Sequence, residues 1–322
     1  MTDTLALYSI IAVYSAMAIY TIAFILFTMD LARRSAPAPA VLSADAATVA
    51  ASSGTRTGLL TRLATDAPTG PTAKVPRYLR AAFVLTILAW ALHVAAAVLR
   101  GAAAGRVPWA NMFEFTLTAT AIIVGVFLAV QFWQDLKFLG AYITGFALLA
   151  LGVGTVNFYV PVVPLPPSLQ SAWLVIHVFV AVLGTSFFAL GAGLSIVQLL
   201  QARRAAGRAV KLRFLETLPG ADQLENLAYR LIVVGFVFWT FTLIAGAVWA
   251  QSAWGRYWGF DTKEVWTFII WTVFAGYIHA RATRGWRGSR SAWLAIIGFA
   301  AVIFNFTIVN LFFKGLHAYS GL

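Results

Sequence analysis

Four histidines, His93, His177, His279 and His317, are the only imidazoles in a chain of 322 residues that has no cysteine. Metal ligation and proton transfer by imidazole are open to it; a disulfide, a thiolate metal site or a thiol nucleophile cannot come from this chain. The second concentration of chemistry is the segment Trp249–Trp266, WAQSAWGRYWGFDTKEVW, which sets Trp249, Trp254, Trp258 and Trp266 among Gly255, Arg256, Gly259, Asp261 and Glu264. This segment is too polar for a membrane span and too aromatic for an ordinary loop. One reading is an interfacial anchor, because Trp and Tyr collect where an apolar ring with a polar edge suits the headgroup layer. The other is a platform for a flat aromatic ligand, and the placement of the histidines bears on it.

The elements that position these residues follow from composition. With 61% hydrophobic and 11% charged residues, the chain lies far from a soluble domain, whose charged share is about a quarter. A helical span needs roughly 20 apolar residues. Eight such stretches run over about 5–29, 80–99, 113–132, 138–157, 172–200, 228–249, 266–283 and 292–313, which predicts an all-α polytopic bundle. The first resembles a signal peptide only superficially: its basic residues follow the apolar run, and no small-residue cleavage pattern accompanies it. The organisation expected is a first transmembrane helix over 1–34, a linker over 35–76 and a seven-span core over 77–322. The linker is rich in Ala, Ser, Thr, Pro and Gly and cannot bury enough apolar surface to offset its ordering entropy.

The net charge of +12 invites a nucleic-acid reading, but its distribution excludes one. With the N-terminus outside, eighteen basic residues fall on one side of the membrane, and Arg100, Arg106, Arg256, Lys263 and Lys314 on the other. Basic connections stay cytoplasmic. The linker and the basic stretch after the fifth span are therefore expected inside, with both termini and the tryptophan segment outside. Pro161, Pro164, Pro166 and Pro167 make 157–170 an extended outer loop.

This topology sorts the histidines. His177, one turn into the fifth span, and His317, just beyond the last, reach the tryptophan segment; His93 and His279 lie within the bilayer. A lone interfacial histidine is ordinarily a solvated side chain, and a buried one ordinarily bonds a neighbouring helix. Two pairs at two depths beside an aromatic acidic loop ask for more. Heme takes one or two axial imidazoles on its iron, aromatic surface on its face, and polar or cationic groups at its carboxylates. Zinc fits less well, since a catalytic site gathers three protein ligands at one centre.

The order of motifs resembles the CcsA family of System II cytochrome c maturation proteins, named ResC or CcsB in some bacteria, which share a tryptophan-rich WWD domain. The landmarks are His93 with Arg100, Pro108-Trp-Ala-Asn111-Met-Phe-Glu114, Trp173-Leu-Val-Ile-His177-Val, the segment 249–266, Ile278-His279-Ala-Arg281, and Asn310-Leu-Phe-Phe-Lys-Gly-Leu-His317-Ala-Tyr. They cover nearly all of the chain after the linker.

The resemblance implies a multi-pass protein of the cell membrane with its active site on the extracytoplasmic face. It implies heme b, held in the membrane by His93 and His279 and outside by His177 and His317, then joined to Cys-X-X-Cys-His of an apocytochrome c. It also implies a ResB-like membrane partner and a thiol-reducing thioredoxin-like protein. His177, His317 and Asp261 become the candidate catalytic residues. Trp249, Trp254, Gly255, Arg256, Trp258, Gly259, Asp261, Glu264 and Trp266 become the heme contacts, with Trp254, Trp258 and Trp266 foremost against the ring. Two positions depart from the family pattern: Phe260 stands where Trp is usual, and Thr262 where Pro is.

On the residues alone, Asp261 and Glu264 either hydrogen-bond a ligating imidazole or pair with Arg256 or Lys263 on a wet surface, where such pairs contribute little. Glu114 is either an end residue of its span or a polar contact, and Arg100, Arg106, Arg256 and Lys314 are equal candidates to meet the heme carboxylates. Two other functions stay open: a transporter of heme or another small anion without ligation activity, and a structural membrane subunit.

Overall fold

The computed structural model describes residues 2–35, 77–162, 171–208, 212–283, 285–313 and 315–317. Most of the expected linker, Pro164, Pro166 and Pro167 of the expected outer loop, and Lys314 lie outside the described residues. Nine α-helices are present among those described: α1 (Thr2–Ser35), α2 (Arg77–Ala104), α3 (Met112–Val130), α4 (Gly140–Asn157), α5 (Ala172–Ala205), α6 (Ala221–Trp254), α7 (Thr262–Thr283), α8 (Ser289–Phe306) and α9 (Ile308–Phe312). Helices are what apolar sequence must form in lipid, where no water is on hand to satisfy backbone N–H and C=O groups.

Among the described residues seven helical stretches are long and apolar enough to cross a membrane, α8 and α9 together counting as one. The eighth predicted span, α7, has the length, with 22 residues. Its apolar character is diluted by Lys263 and Glu264 in its first turn and by His279 and Arg281 near its end. The last predicted span is broken at Thr307, whose φ of −91° and ψ of −74° separate α8 from α9. Helices α1, α5 and α6, with 34 residues each, run to about 51 Å at 1.5 Å per residue. They outreach a hydrocarbon layer of about 30 Å, which is why the apolar windows predict their existence but undershoot their ends.

Packing follows residue size. Along α2, Ala82, Ala89, Ala96 and Ala103 recur every seventh residue and are all buried, giving α1 a smooth surface to lie against. In the α5–α6 pair, a Cβ on Gly191 would meet Ile232 at 2.5 Å, and one on Gly184 would meet the Gly235 carbonyl oxygen at 3.2 Å. Small residues at such crossings let helices approach closely in lipid. One core joins α1 to α4 around Tyr20, Phe113 and Phe127. A second gathers Phe188, Trp239, Ile270 and Phe274, with Phe188 and Phe274 stacked at 3.6 Å. Helix α3, buried on most of its surface, packs on α2, α4 and α5 and joins the halves.

At the end of the bundle away from the tryptophan segment, the Arg281 guanidinium donates to the Glu225 carbonyl at 2.9 Å and to Asn226 Oδ1 at 2.6 Å. The Glu225 carboxylate accepts from the Gly288 N–H at 2.8 Å. These bonds tie α6 and α7 to the start of α8.

Candidate functional site

His177 and His317 line one cavity of about 400 Å³, bounded by α3 to α9 and by the tryptophan segment. Its wall is mainly apolar, with Met112, Phe115, Phe146, Trp239, Trp249 and Phe306 among the larger side chains. The buried indole of Trp249 contacts both histidines, 5.9 Å from the His177 ring and 5.9 Å from the His317 ring. Trp254 closes over the same place, 5.0 Å from Trp249 and 4.8 Å from His317.

Each imidazole is held by its Nδ1. His177 Nδ1 donates to the Thr242 carbonyl at 3.1 Å, a bond that requires the proton on that nitrogen. Gly246, one turn further along α6, makes room for the ring: a Cβ there would lie 2.8 Å from His177 Cε1. His317 Nδ1 lies 2.8 Å from Asp261 Oδ2, with both side chains largely shielded. Leu316 N–H donates to Asp261 Oδ1 at 3.1 Å, and a Cβ on Gly315 would collide with the same carboxylate. Glycine at 315 is thus what lets the chain bring His317 to Asp261. Neither Nε2 has a hydrogen-bond partner among the described residues. A metal-ligating histidine ordinarily has this arrangement, one ring N–H fixed by a carbonyl or carboxylate and the other nitrogen presenting its lone pair. The hydrogen bond from His317, ahead of other influences, holds the Asp261 carboxyl below its ordinary range.

The two acids therefore divide the roles that the sequence left open for both. Asp261 binds the imidazole. Glu264 organises the loop: its Oε2 accepts from the N–H groups of Gly259 at 2.8 Å and Asp261 at 3.1 Å, and Arg256 pairs with it at 3.3 Å. Asp261 directly precedes α7, so the Glu264 contact is the return half of a capping box. Gly255 ends α6 in the left-handed conformation with φ +71°. At Gly259 a Cβ would run into the Arg256 guanidinium; its hydrogen atom serves the loop's own packing. Phe260 is exposed and has φ +58°, unusual for a bulky residue. Trp258 packs on Phe260 and Phe268, and Trp266 on Phe304. Of the segment's four tryptophans, only Trp249 lines the cavity.

His93 and His279 are not brought together. His93 is fully buried, with Nε2 2.8 Å from the Leu117 carbonyl and Nδ1 3.5 Å from the Tyr20 hydroxyl. His279 is exposed on α7, which packs on α6 and α8, whereas α2 packs on α1 and α3.

Arg100 and Arg106 are committed to Glu114, a fully buried carboxylate, at 3.0 Å and 2.7 Å. Neither lines the cavity, and Lys263 does. Four buried polar atoms of the lining lack hydrogen-bond partners among the described residues: Trp109 Nε1, Asn111 Nδ2, Trp249 Nε1 and Asn305 Oδ1. Sequence reasoning assigned no role to Gly246, Gly315, Trp109 or Asn111, and offered Lys263 only as a pairing partner for Asp261 or Glu264. Asn111, Trp109 and Gly315 do lie inside the landmark motifs, which was the available signal.

Residues 78–317 match the family model described as cytochrome C assembly protein. The chain belongs to that family. It is 35% identical over 235 residues to the cytochrome c biogenesis protein CcsA of Guillardia theta, covering 68% of this chain and 78% of that one. It is 34% identical over 268 residues to CcsA of Synechococcus sp. (strain CC9902), covering 73% and 85%. These likenesses place it in cytochrome c biogenesis as a CcsA-type membrane protein. Among solved structures it shares its fold with the cytochrome c heme lyase CcmF, at a TM-score of 0.64, 16% identity and 94% coverage of this chain. The chain spans 46% of CcmF's length.

Proposed function

We propose that the cavity receives heme as its substrate, with His177 and His317 as the two axial ligands, and presents it for thioether attachment to Cys-X-X-Cys-His of an apocytochrome c. One observation carries this reading: two imidazoles with Nδ1 tied and Nε2 free face a single apolar, aromatic-lined cavity. The asymmetry of basic connections supports an extracytoplasmic position for this end, and a ResB-like membrane protein is the partner proposed to complete the synthase.

Heme supplies two vinyl groups; each substrate thiol adds across one of them, forming a C–S and a C–H bond with no net change in electron count. The residues of this chain position. Asp261 and Thr242 fix the imidazole orientations, and fixed orientation converts an encounter into a near-intramolecular step. Trp249 packs against both imidazoles, and the apolar wall excludes water. The substrate's own histidine replaces one of the two ligands, which provides a trigger for release. Heme entering from the membrane by way of His93 requires the Tyr20 hydroxyl to leave His93 Nδ1; His279 joins such a path from the exposed side of α7.

A transporter needs the same ligands but no thiol chemistry. The deciding experiment is co-expression with the ResB-like partner and a cytochrome c reporter, followed by heme staining after denaturing electrophoresis. Covalent heme on the reporter with the native chain, and none with His177→Ala or His317→Ala, meets the proposal. Heme bound to the purified protein with no covalent transfer in the presence of the partner favours export.

A further inference from the structure

Three of the four unpartnered polar atoms in the cavity wall are N–H donors, on Trp109, Asn111 and Trp249. A buried donor without a partner costs about 1–3 kcal/mol, a cost removed when the side chain turns to meet an acceptor on a ligand. Trp109 and Asn111 stand together on the turn that leads into α3. Asn111 is 3% exposed; its Oδ1 caps α3 by accepting from the Glu114 N–H at 2.9 Å, which leaves Nδ2 as its only unused polar atom.

The charge beneath this turn points the same way. Glu114 Oε2 accepts from the Ala110 N–H at 3.0 Å, so the carboxylate that pairs with Arg100 and Arg106 also pins the turn. Arg100 and Arg106 both pair with this carboxylate, which gathers two guanidinium groups beneath the turn. The N-terminus of α3, 19 residues long, adds its positive end. Basic side chains so engaged raise the local potential without touching a ligand; direct contact falls to the neutral donors.

We infer that Trp109 Nε1 and Asn111 Nδ2 form a carboxylate-binding subsite of the cavity, which takes a propionate of the porphyrin and sets which edge of the ring faces the histidines. This rests on the heme reading above. Arg100 and Arg106, two of the four basic residues first ranked equally for that contact, act on it through Glu114.

The test compares binding of iron protoporphyrin IX and its dimethyl ester, in which both carboxylates are blocked, to the purified full chain by Soret titration. The native protein is expected to bind the diacid about tenfold more tightly than the ester, the worth of one charge-assisted hydrogen bond. Trp109→Phe with Asn111→Ser removes both donors, while serine keeps an N-cap oxygen for α3. In that variant the ratio should fall to within about twofold, with ester affinity unchanged as the sign of an intact cavity. Trp109→Phe alone, which leaves the cap untouched, should give an intermediate ratio. Equal affinity of the native protein for diacid and ester, or a ratio that survives in the double variant, overturns the inference and leaves the heme reading standing. Binding of neither porphyrin overturns both.

Discussion

The His317 imidazole and the Asp261 carboxylate meet at 2.8 Å across 56 residues of sequence, joining the segment after α9 to the residue that opens α7. Asp261 thereby orients the ring and raises the electron-donating power of its free nitrogen. Asp261→Asn keeps the shape and removes the charge. Heme affinity should fall about 10- to 100-fold, the usual cost of losing a group that orients a metal ligand, and the midpoint potential should rise, because a less basic imidazole stabilises ferric iron less. Redox titration of native and variant protein reads both.

The same pair sets an acid limit. The His317 hydrogen bond lowers the Asp261 pKa in the folded protein, so its stabilisation is fully present above the ordinary carboxylate value of about 4 and is lost as pH falls through the lowered folded value. The difference in thermal stability between native protein and Asp261→Asn should be constant above about pH 5 and shrink below about pH 4. A difference independent of pH across that window contradicts the assignment.

Gly246→Ala separates helix stability from site integrity. Alanine favours a helix over glycine by about 1 kcal/mol, yet here its Cβ would press on His177 at 2.8 Å. Folded protein in the membrane should be undiminished while bound heme drops severalfold, seen as the Soret-to-protein absorbance ratio.

Glu114→Gln strips the common partner from Arg100 and Arg106 and leaves two buried cations facing each other. Breaking such a pair from one side costs about 3–5 kcal/mol. Arg106→Gln, which spares the Arg100–Glu114 bond, should cost less. Thermal unfolding in detergent orders the two variants, and the reverse order counts against the cluster as described.

Hydropathy was enough to place the helices because lipid forces every apolar stretch of span length into a helix. It missed the polar first turn of α7 and the break at Thr307, where capping and local geometry, not hydrophobicity, set the ends. His177 and His317 could be paired by topology, since both fall near the same end of the bundle. His93 and His279 share a depth in the sequence reading but sit on helices that pack on different neighbours, and lateral position leaves no trace in a linear pattern. Likewise the tryptophans of the segment look equivalent by type; Trp249 alone of them lines the cavity, buried on α6 against His177, whereas Trp258 lies on the turn between α6 and α7. Gly246 and Gly315 have no side chain to advertise their role, which exists only against His177 and Asp261.

The most direct measurement is the visible absorption spectrum, oxidised and reduced, of the purified chain and of His177→Ala, His317→Ala, His93→Ala and His279→Ala. A bis-imidazole heme spectrum in the native protein that shifts or disappears on replacing His177 or His317 is the predicted result. A colourless native protein, produced with ample heme and its proposed partner, or a spectrum indifferent to both replacements, would contradict the account and return the tryptophan segment to an interfacial anchor.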